Sequence, residues 1–270
     1  MVSLQHKVVV LTGAANGLGK ALATEFYRMG CHLALIDIDL AGLQKVKDEL
    51  PNEGQVITIH QADVSKDEDI AATRLNIVNV HQHVDILINN AGISISRHFE
   101  QVELADYKNL FDTNFWGTVS ATKHFLPDLK QRQHSQLVNI TSSFALIGFP
   151  GKTAYCSSKS AITGFTNALQ TELVNTPVSV CLVIPPPLDT GIVRSGKHIN
   201  DRKRENEARF LAKKGMPIDK AARRIVRGIQ KGKYRIIIGA MTFWTDLAAR
   251  LFPTILHRLI GKYKKRIDFV

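Results

Sequence analysis

Two side chains four residues apart, Tyr155 and Lys159, are the first candidates for chemistry in this chain of 270 residues. In Tyr155-Cys156-Ser157-Ser158-Lys159 they lie about one helical turn apart and share a face. A phenol with a pKa of about 10 is a poor base at neutral pH, and a nearby ammonium favours its phenolate form. Such a pair can exchange a proton with a substrate oxygen. It can equally belong to a solvated helix face, since this spacing is common.

A second candidate is Thr12-Gly13-Ala14-Ala15-Asn16-Gly17-Leu18-Gly19. Its glycines allow a sharp turn and close approach of the backbone to an anion, and a helix start beyond them supplies unpaired N–H groups. The spacing is Gly-x3-Gly-x-Gly, and no Lys-Ser/Thr pair follows, which argues against a nucleoside triphosphate loop. Asp37 stands 18 residues after Gly19, near the position of an acid that binds an adenosine ribose. A carboxylate there accepts from a 2′-hydroxyl and repels a 2′-phosphate. No Lys or Arg occurs at 14–16 or at Ile38, so NAD is expected rather than NADP. Asp39 is the better candidate for capping the next helix.

The elements that must position these groups alternate. Val8–Leu11, Leu33–Ile36, Val56–His60, Ile86–Asn89, Leu137–Ile140, Val178–Ile184 and Ile236–Ile238 read as strands. Helical stretches separate them around 18–29, 40–50, from 67, 106–125, 154–173 and 218–230. Apolar strands without alternation, separated by helices, predict a parallel sheet buried on both faces and a doubly wound α/β fold. Residues 188–217 carry many charges and little apolar periodicity, so they read as a mobile insertion of the kind that forms substrate lids.

Composition narrows the classes. Hydrophobic residues make up 44% of the chain and charged residues 22%, which excludes wholesale disorder. No run of 18 uncharged apolar residues predicts a membrane span. Cys31, Cys156 and Cys181 form no CxxC pair, and the ten histidines show no HExxH spacing, so neither a disulfide scaffold nor a metal site is expected. His81 and His83 flank Gln82 at a predicted helix end and read as solvent-facing. Met1 to Lys7 lacks the pattern of a secretory leader, so a reducing cytoplasm is the expected compartment.

The motifs occur in a specific order: Thr12–Gly19, Asp63-Val64, Asn89-Asn90-Ala91-Gly92, Asn114, Ser142, then Tyr155 and Lys159. In this ordered set, spanning about residues 5–240, the chain resembles the short-chain dehydrogenase/reductase family. The resemblance implies a Rossmann-like sheet of about seven strands and hydride transfer between a nicotinamide and a secondary alcohol or ketone. It implies that Tyr155 is the general acid/base, that Ser142 binds the same substrate oxygen, and that Lys159 lowers the tyrosine pKa and holds the nicotinamide ribose. Asn114 is implied to hold a proton-relay water through its backbone. Gly13, Asn16, Gly17, Leu18, Gly19, Asp37, Asp63, Val64, Asn90, Ala91 and Gly92 are implied to line the cofactor, with Asp63 and Val64 at the adenine. Pro185, Leu188 and Thr190 match the segment after the sixth strand, with Leu188 expected at the carboxamide and Thr190 at a phosphate. Pro186 departs from the family, which has glycine there; proline cannot take positive φ, so the turn must differ locally. Family members are commonly dimers or tetramers, and the helices around 106–125 and 154–173 are the implied faces. The competing function is a non-catalytic nucleotide-binding protein, disfavoured by the intact Ser142, Tyr155 and Lys159.

Charge is unevenly placed. Residues 1–193 hold 14 Lys and Arg against 18 Asp and Glu, a net of −4, whereas residues 194–270 hold 21 against 6, a net of +15. Residues 1–240 are read as a single catalytic domain and 241–270 as an appendage. Within 242–260 apolar residues recur with helical spacing, with a kink expected at Pro253, and Lys262, Lys264, Lys265 and Arg266 follow. This stretch is expected to cover the pocket or a subunit interface first, an anionic membrane surface over residues 242–266 second, and nucleic acid last. A membrane surface would suit a sterol, retinoid or long-chain lipid. The basic 194–217 segment would instead suit an anionic substrate such as an acyl thioester.

Overall fold

Val and Ile stretches with no polar face leave a strand no side to show to water, and the chain hides them in one parallel sheet. The computed structural model describes residues 3–189, 191–192, 196–198 and 200–263. The expectations for Thr190 and for Lys264-Lys265-Arg266 lie outside the described residues. The strands are β1 (Val8–Thr12), β2 (His32–Asp37), β3 (Ile57–Gln61), β4 (Ile86–Asn89), β5 (Ile95–Ser96), β6 (Ser135–Ile140), β7 (Val178–Ile184), β8 (Lys197–His198) and β9 (Arg235–Ile237). Seven of them form the sheet, in the order β3-β2-β1-β4-β6-β7-β9, and every pairing is parallel. β5 and β8 form a separate parallel pair.

The helices are α1 (Gly17–Arg28), α2 (Leu40–Glu49), α3 (Asp67–His81), α4 (Leu104–Phe111), α5 (Gly117–Lys130), α6 (Thr153–Glu172), α7 (Asp201–Lys214), α8 (Ile218–Gln230), α9 (Ala240–Leu251) and α10 (Pro253–Tyr263). One sheet face packs on α1 and α8 through Leu22, Phe26, Ala221, Ile225 and Ile229. The other packs on α3, α5 and α6 through Ile70, Ile77, Phe125, Leu129 and Leu169. These are the two covered faces of a doubly wound sheet.

Asp85 bolts the amino ends of the strands together. Its carboxylate, 1% exposed, accepts from the Val8 N–H at 2.9 Å, Lys7 Nζ at 2.9 Å and Arg132 Nε at 3.0 Å. Burial pushes this carboxyl up, but the donors from Val8, Lys7 and Arg132 overcome it and hold it below the ordinary range.

Four expectations change. The predicted helix over 106–125 is broken: a π-helical segment, Asp112–Trp116, sits between α4 and α5. Within the 188–217 insertion the described residues include a strand, β8, and a helix, α7, with Asn200 capping α7 by accepting from the Lys203 N–H. The kink expected at Pro253 is a full break, with Phe252 leaving helical geometry between α9 and α10. His81 is buried rather than solvent-facing; Nε2 lies 2.8 Å from Thr58 Oγ1, and desolvation lowers the imidazole to about 4.

Candidate active site

Strand order reverses direction at β1, whose neighbours are β2 on one side and β4 on the other. Open α/β sheets bind ligands at the carboxyl ends of the strands where this reversal opens a crevice. A cavity of 530 Å³ lies there. Gly13, Asn16, Gly17, Leu18, Gly19, Asp37, Asp63, Val64, Asn90, Ala91 and Gly92 line one part of it. Ser142, Tyr155, Lys159, Pro185 and Leu188 line the rest. Asn114 does not line it but stands directly behind.

The turn between β1 and α1 is built for close approach. Gly13 has φ +66°, and a Cβ there would sit 2.7 Å from Ala91 Cα. A Cβ on Gly19 would sit 1.8 Å from the Gly13 carbonyl oxygen. Asn90 fixes the turn from β4, donating from Nδ2 to the carbonyls of Thr12 at 3.1 Å and Gly13 at 3.0 Å. Asn16 precedes α1 without a capping side-chain bond, so the first N–H groups of the helix remain available to an anion. Asp37 ends β2, accepting from the Ala15 N–H at 2.9 Å and the Asp39 N–H at 3.1 Å. Asp39 caps α2 by accepting from Gly42. Asp63 closes its own turn by accepting from Ser65.

The hydroxyl-bearing wall is set by β6 and α6. Thr141 Oγ1 donates to the Lys159 carbonyl at 2.8 Å, and Asn139 Nδ2 donates to Thr166 Oγ1 at 2.9 Å. Two rungs therefore hold α6 on β6 and place Tyr155, in the first turn of α6, beside Ser142 at the end of β6. Ser142 also accepts from the Phe144 N–H at 3.2 Å. Lys159, 3% exposed, donates from Nζ to the Ile140 carbonyl at 3.1 Å and stands 5.9 Å from the Tyr155 ring centre. Asn114 lies in the π segment, where Oδ1 accepts from the Ile93 N–H at 2.8 Å and Nδ2 donates to the Ile93 carbonyl and Ser158 Oγ. A Cβ on Gly92 would lie 3.1 Å from Asn114 Oδ1 and 3.4 Å from Lys159 Nζ, so glycine keeps this corner open.

The electrostatics correct one expectation. Burial pushes the Tyr155 phenol up to about 12, with a hydrogen bond from Ser142 pulling the other way. Burial also lowers Lys159 to about 8. The net effect on the phenol is upward because desolvation outweighs its stabilising contacts, and the ammonium points its bond at Ile140 rather than at the phenol oxygen. The Pro186 turn also resolves. Pro185 accepts from the Ser143 N–H, Pro187 accepts from the Met216 N–H, and Leu188 bridges to Met216, all without positive φ at Pro186.

The model of the short chain dehydrogenase family matches residues 7–200. The chain belongs to the short-chain dehydrogenase family. A Mycobacterium tuberculosis protein named SadH is 33% identical over 266 residues, covering 97% of this chain and 96% of that one. A Bos taurus relative named 3-ketodihydrosphingosine reductase is 30% identical over 242 residues, covering 86% and 71%. A short-chain dehydrogenase from Burkholderia phymatum, solved in complex with NAD, superposes with a TM-score of 0.84 at 24% identity, covering 96% and 97%. As a short-chain dehydrogenase the chain is an oxidoreductase of CH–OH and ketone groups that uses NAD or NADP. The glycine turn, the uncapped start of α1 and Asp37 fit a dinucleotide in this cavity.

Sequence reasoning missed part of the wall. Ser94, Phe144, Lys152, Ile192, Glu207 and Leu211 also line the cavity. Lys152 precedes Tyr155 by three residues but matches no motif, and Glu207 is one charge among many in a basic segment.

Proposed function

We propose that this short-chain dehydrogenase uses NAD to interconvert a secondary alcohol and a ketone, with Tyr155 exchanging the proton on the substrate oxygen. The bound nicotinamide supplies or accepts the hydride. Ser142 and Tyr155 stand on one wall of the cavity, where two hydroxyls can meet one substrate oxygen, and this juxtaposition is the observation that carries the reading. A phenol at about 12 is neutral at physiological pH, so Tyr155 is ready to act as the acid for ketone reduction. Lys159 and Asn114 keep their places behind it, the first to hold the ribose and the second to anchor the Ile93 loop and carry a relay water. Gly13, Asn16, Gly17, Leu18 and Gly19 hold the phosphates, Asp63 and Val64 the adenine, and Asn90, Ala91 and Gly92 the nicotinamide half. Pro185 and Leu188 close over the carboxamide.

Asp37 favours NAD, because a 2′-phosphate would meet a carboxylate already fixed on the Ala15 N–H. Tyr155→Phe should reduce turnover at least about 100-fold while NADH binding, followed by its fluorescence, stays near wild type. Wild-type turnover in that variant would remove the mechanism. A homodimer or homotetramer through α4, α5 and α6 is supported by exposed Leu104 and Trp116, and sedimentation velocity tests it.

A lipophilic substrate taken from a membrane surface is supported by α9. Its buried face carries Thr242 and Asp246, whereas Met241, Phe243, Trp244, Leu247 and Leu251 face solvent. A helix with its apolar side outward, in a region of net +15, suits an anionic bilayer. α10 touches the segment between β6 and α6, with the Gly148 N–H donating to His257 Nε2 at 3.3 Å. A relative whose name makes it a keto reductase of a sphingoid compound agrees with this class of substrate. Co-sedimentation with anionic vesicles of the full chain, against one ending at Ala240, tests it; equal negligible binding would end it. Among the described residues no helix is long and apolar enough to cross a membrane.

A further inference from the structure

Four segments converge on a buried charge cluster in the wall of the cavity that Tyr155 lines, and the proton-transfer scheme uses none of it. Lys152, just ahead of α6, and Glu207, midway along α7, are 2% and 3% exposed. Lys152 Nζ lies 2.6 Å from Glu207 Oε1. Ser96 of β5 donates to Glu207 Oε2 at 2.8 Å, and His198 Nε2 of β8 lies 3.1 Å from the same oxygen. Lys152 also donates to Ser96 Oγ and, at 3.4 Å, to Ser94 Oγ. Ser94, Lys152 and Glu207 line the same cavity as Tyr155.

Counting donors and acceptors shows what the cluster has to spare. An ammonium has three donors. Glu207, Ser96 and Ser94 take all of those on Lys152. A carboxylate has about four acceptor positions. Lys152, Ser96 and His198 fill three of those on Glu207, with two of them on Oε2. The remaining capacity is an acceptor on Oε1. Burial pushes this carboxyl up, but the His198 hydrogen bond, the Lys152 ammonium and the Ser96 hydroxyl overcome it and hold it at about 2, so it is ionised at any working pH. Among the described residues of the cluster an anionic ligand finds only the Ser94 hydroxyl as a remaining donor, because the Lys152 ammonium is committed to Glu207, Ser96 and Ser94. It also meets this negative charge.

We propose that Glu207 is a second polar subsite of the cavity, accepting a hydrogen bond from a hydroxyl or ammonium donor that the substrate carries close to its reacting carbon. The subsite rests on the proposed alcohol–ketone chemistry for its register, since Tyr155 takes the oxygen and Glu207 takes the neighbouring donor. It selects against substrates bearing a carboxylate or phosphate near the ketone. It also turns α7 into a reader of the substrate, because that helix brings Glu207 to the cavity.

The test compares three matched medium-chain ketones: plain, carrying a hydroxyl or primary amine on a neighbouring carbon, and carrying a carboxylate there. Wild type should favour the donor-bearing ketone over the plain one by about tenfold in kcat/KM and the plain one over the carboxylate. Glu207→Gln can fail to fold because it strands Lys152, so the paired variant Lys152→Met with Glu207→Leu removes both charges at similar volume. In that variant the three ketones should converge. A structural role would lower all three alike and leave their ratios intact. Equal use of plain and donor-bearing ketones by wild type, or a preference that survives in the paired variant, overturns the subsite and leaves the reaction standing. The alcohols of the same series are also titrated against the enzyme–NADH complex by fluorescence. Preferential binding of the donor-bearing alcohol without any turnover would overturn the reaction and keep the subsite; no binding and no turnover would overturn both.

Discussion

Lys159 is a cation held where water barely reaches it, and that sets two measurable consequences. Its folded pKa falls to about 8 through burial, against 10.5 for the free side chain. Between those values the unfolded chain binds more protons, so stability rises with pH across that window, and below it the cost of the buried charge is fully present. Lys159→Met should therefore melt at a higher temperature than wild type near pH 7, and the advantage should shrink as pH rises above about 8. Calorimetry over that range checks it. The same variant should lose at least about 100-fold in turnover if Lys159 holds the cofactor ribose. The phenol gives the complementary expectation. With Tyr155 at about 12, alcohol oxidation needs its proton removed first, so kcat/KM for oxidation should climb from neutral toward alkaline pH while ketone reduction does not. A flat oxidation profile would contradict the assignment of Tyr155 as base. At the other end of the cavity, Asp37→Ala should cut the preference for NAD over NADP by at least about tenfold, read as a ratio of kcat/KM values.

Among the elements, the π segment at 112–116 does the least visible positioning. Its extra residue turns Asn114 inward, and π-bulges recur at functional sites for this reason. Asn114→Ala removes both bonds to Ile93 and the bond to Ser158, and should cost about 2–4 kcal/mol in urea unfolding together with a loss of turnover. The break was not legible in the sequence, because one inserted residue leaves the apolar spacing of 106–125 almost unchanged. The seven strands were legible, since a strand buried on both faces must be apolar throughout, and Asp39 was legible as a cap. α7 was not: Asp201–Lys214 is mostly polar, and its buried Glu207 looks like its neighbours in sequence until Lys152 and Ser96 close on it from elsewhere in the chain. Tyr155, Ser142 and Lys159 were found through order and spacing, but the direction of the phenol shift depended on burial, which spacing does not report.

At the scale of the whole molecule, the net +11 separates into an acidic front and a basic rear, and the exposed apolar side of α9 falls within the rear. Attraction of that region to anionic lipid would be screened as the Debye length shrinks from about 10 Å at 0.1 M salt to about 3 Å at 1 M, whereas apolar burial would persist. The chain has two tryptophans, Trp116 and Trp244. With Trp116→Phe isolating Trp244, emission should shift to the blue on addition of anionic vesicles, and high salt should weaken that shift. No shift at low salt would count against membrane contact.

The Asp85 node has a consequence for how such a protein can change. It ties β1, β4 and the end of α5 at the end of the sheet opposite the cavity, using groups that touch neither cofactor nor substrate. Anchorage and chemistry are therefore encoded by different residues at opposite ends of the same strands. Mutations at the mouth, in α7 or in the segment after β7, can be sampled without loosening that anchorage, so new substrate preferences are open to selection or to directed evolution while the amino ends of the strands stay bolted.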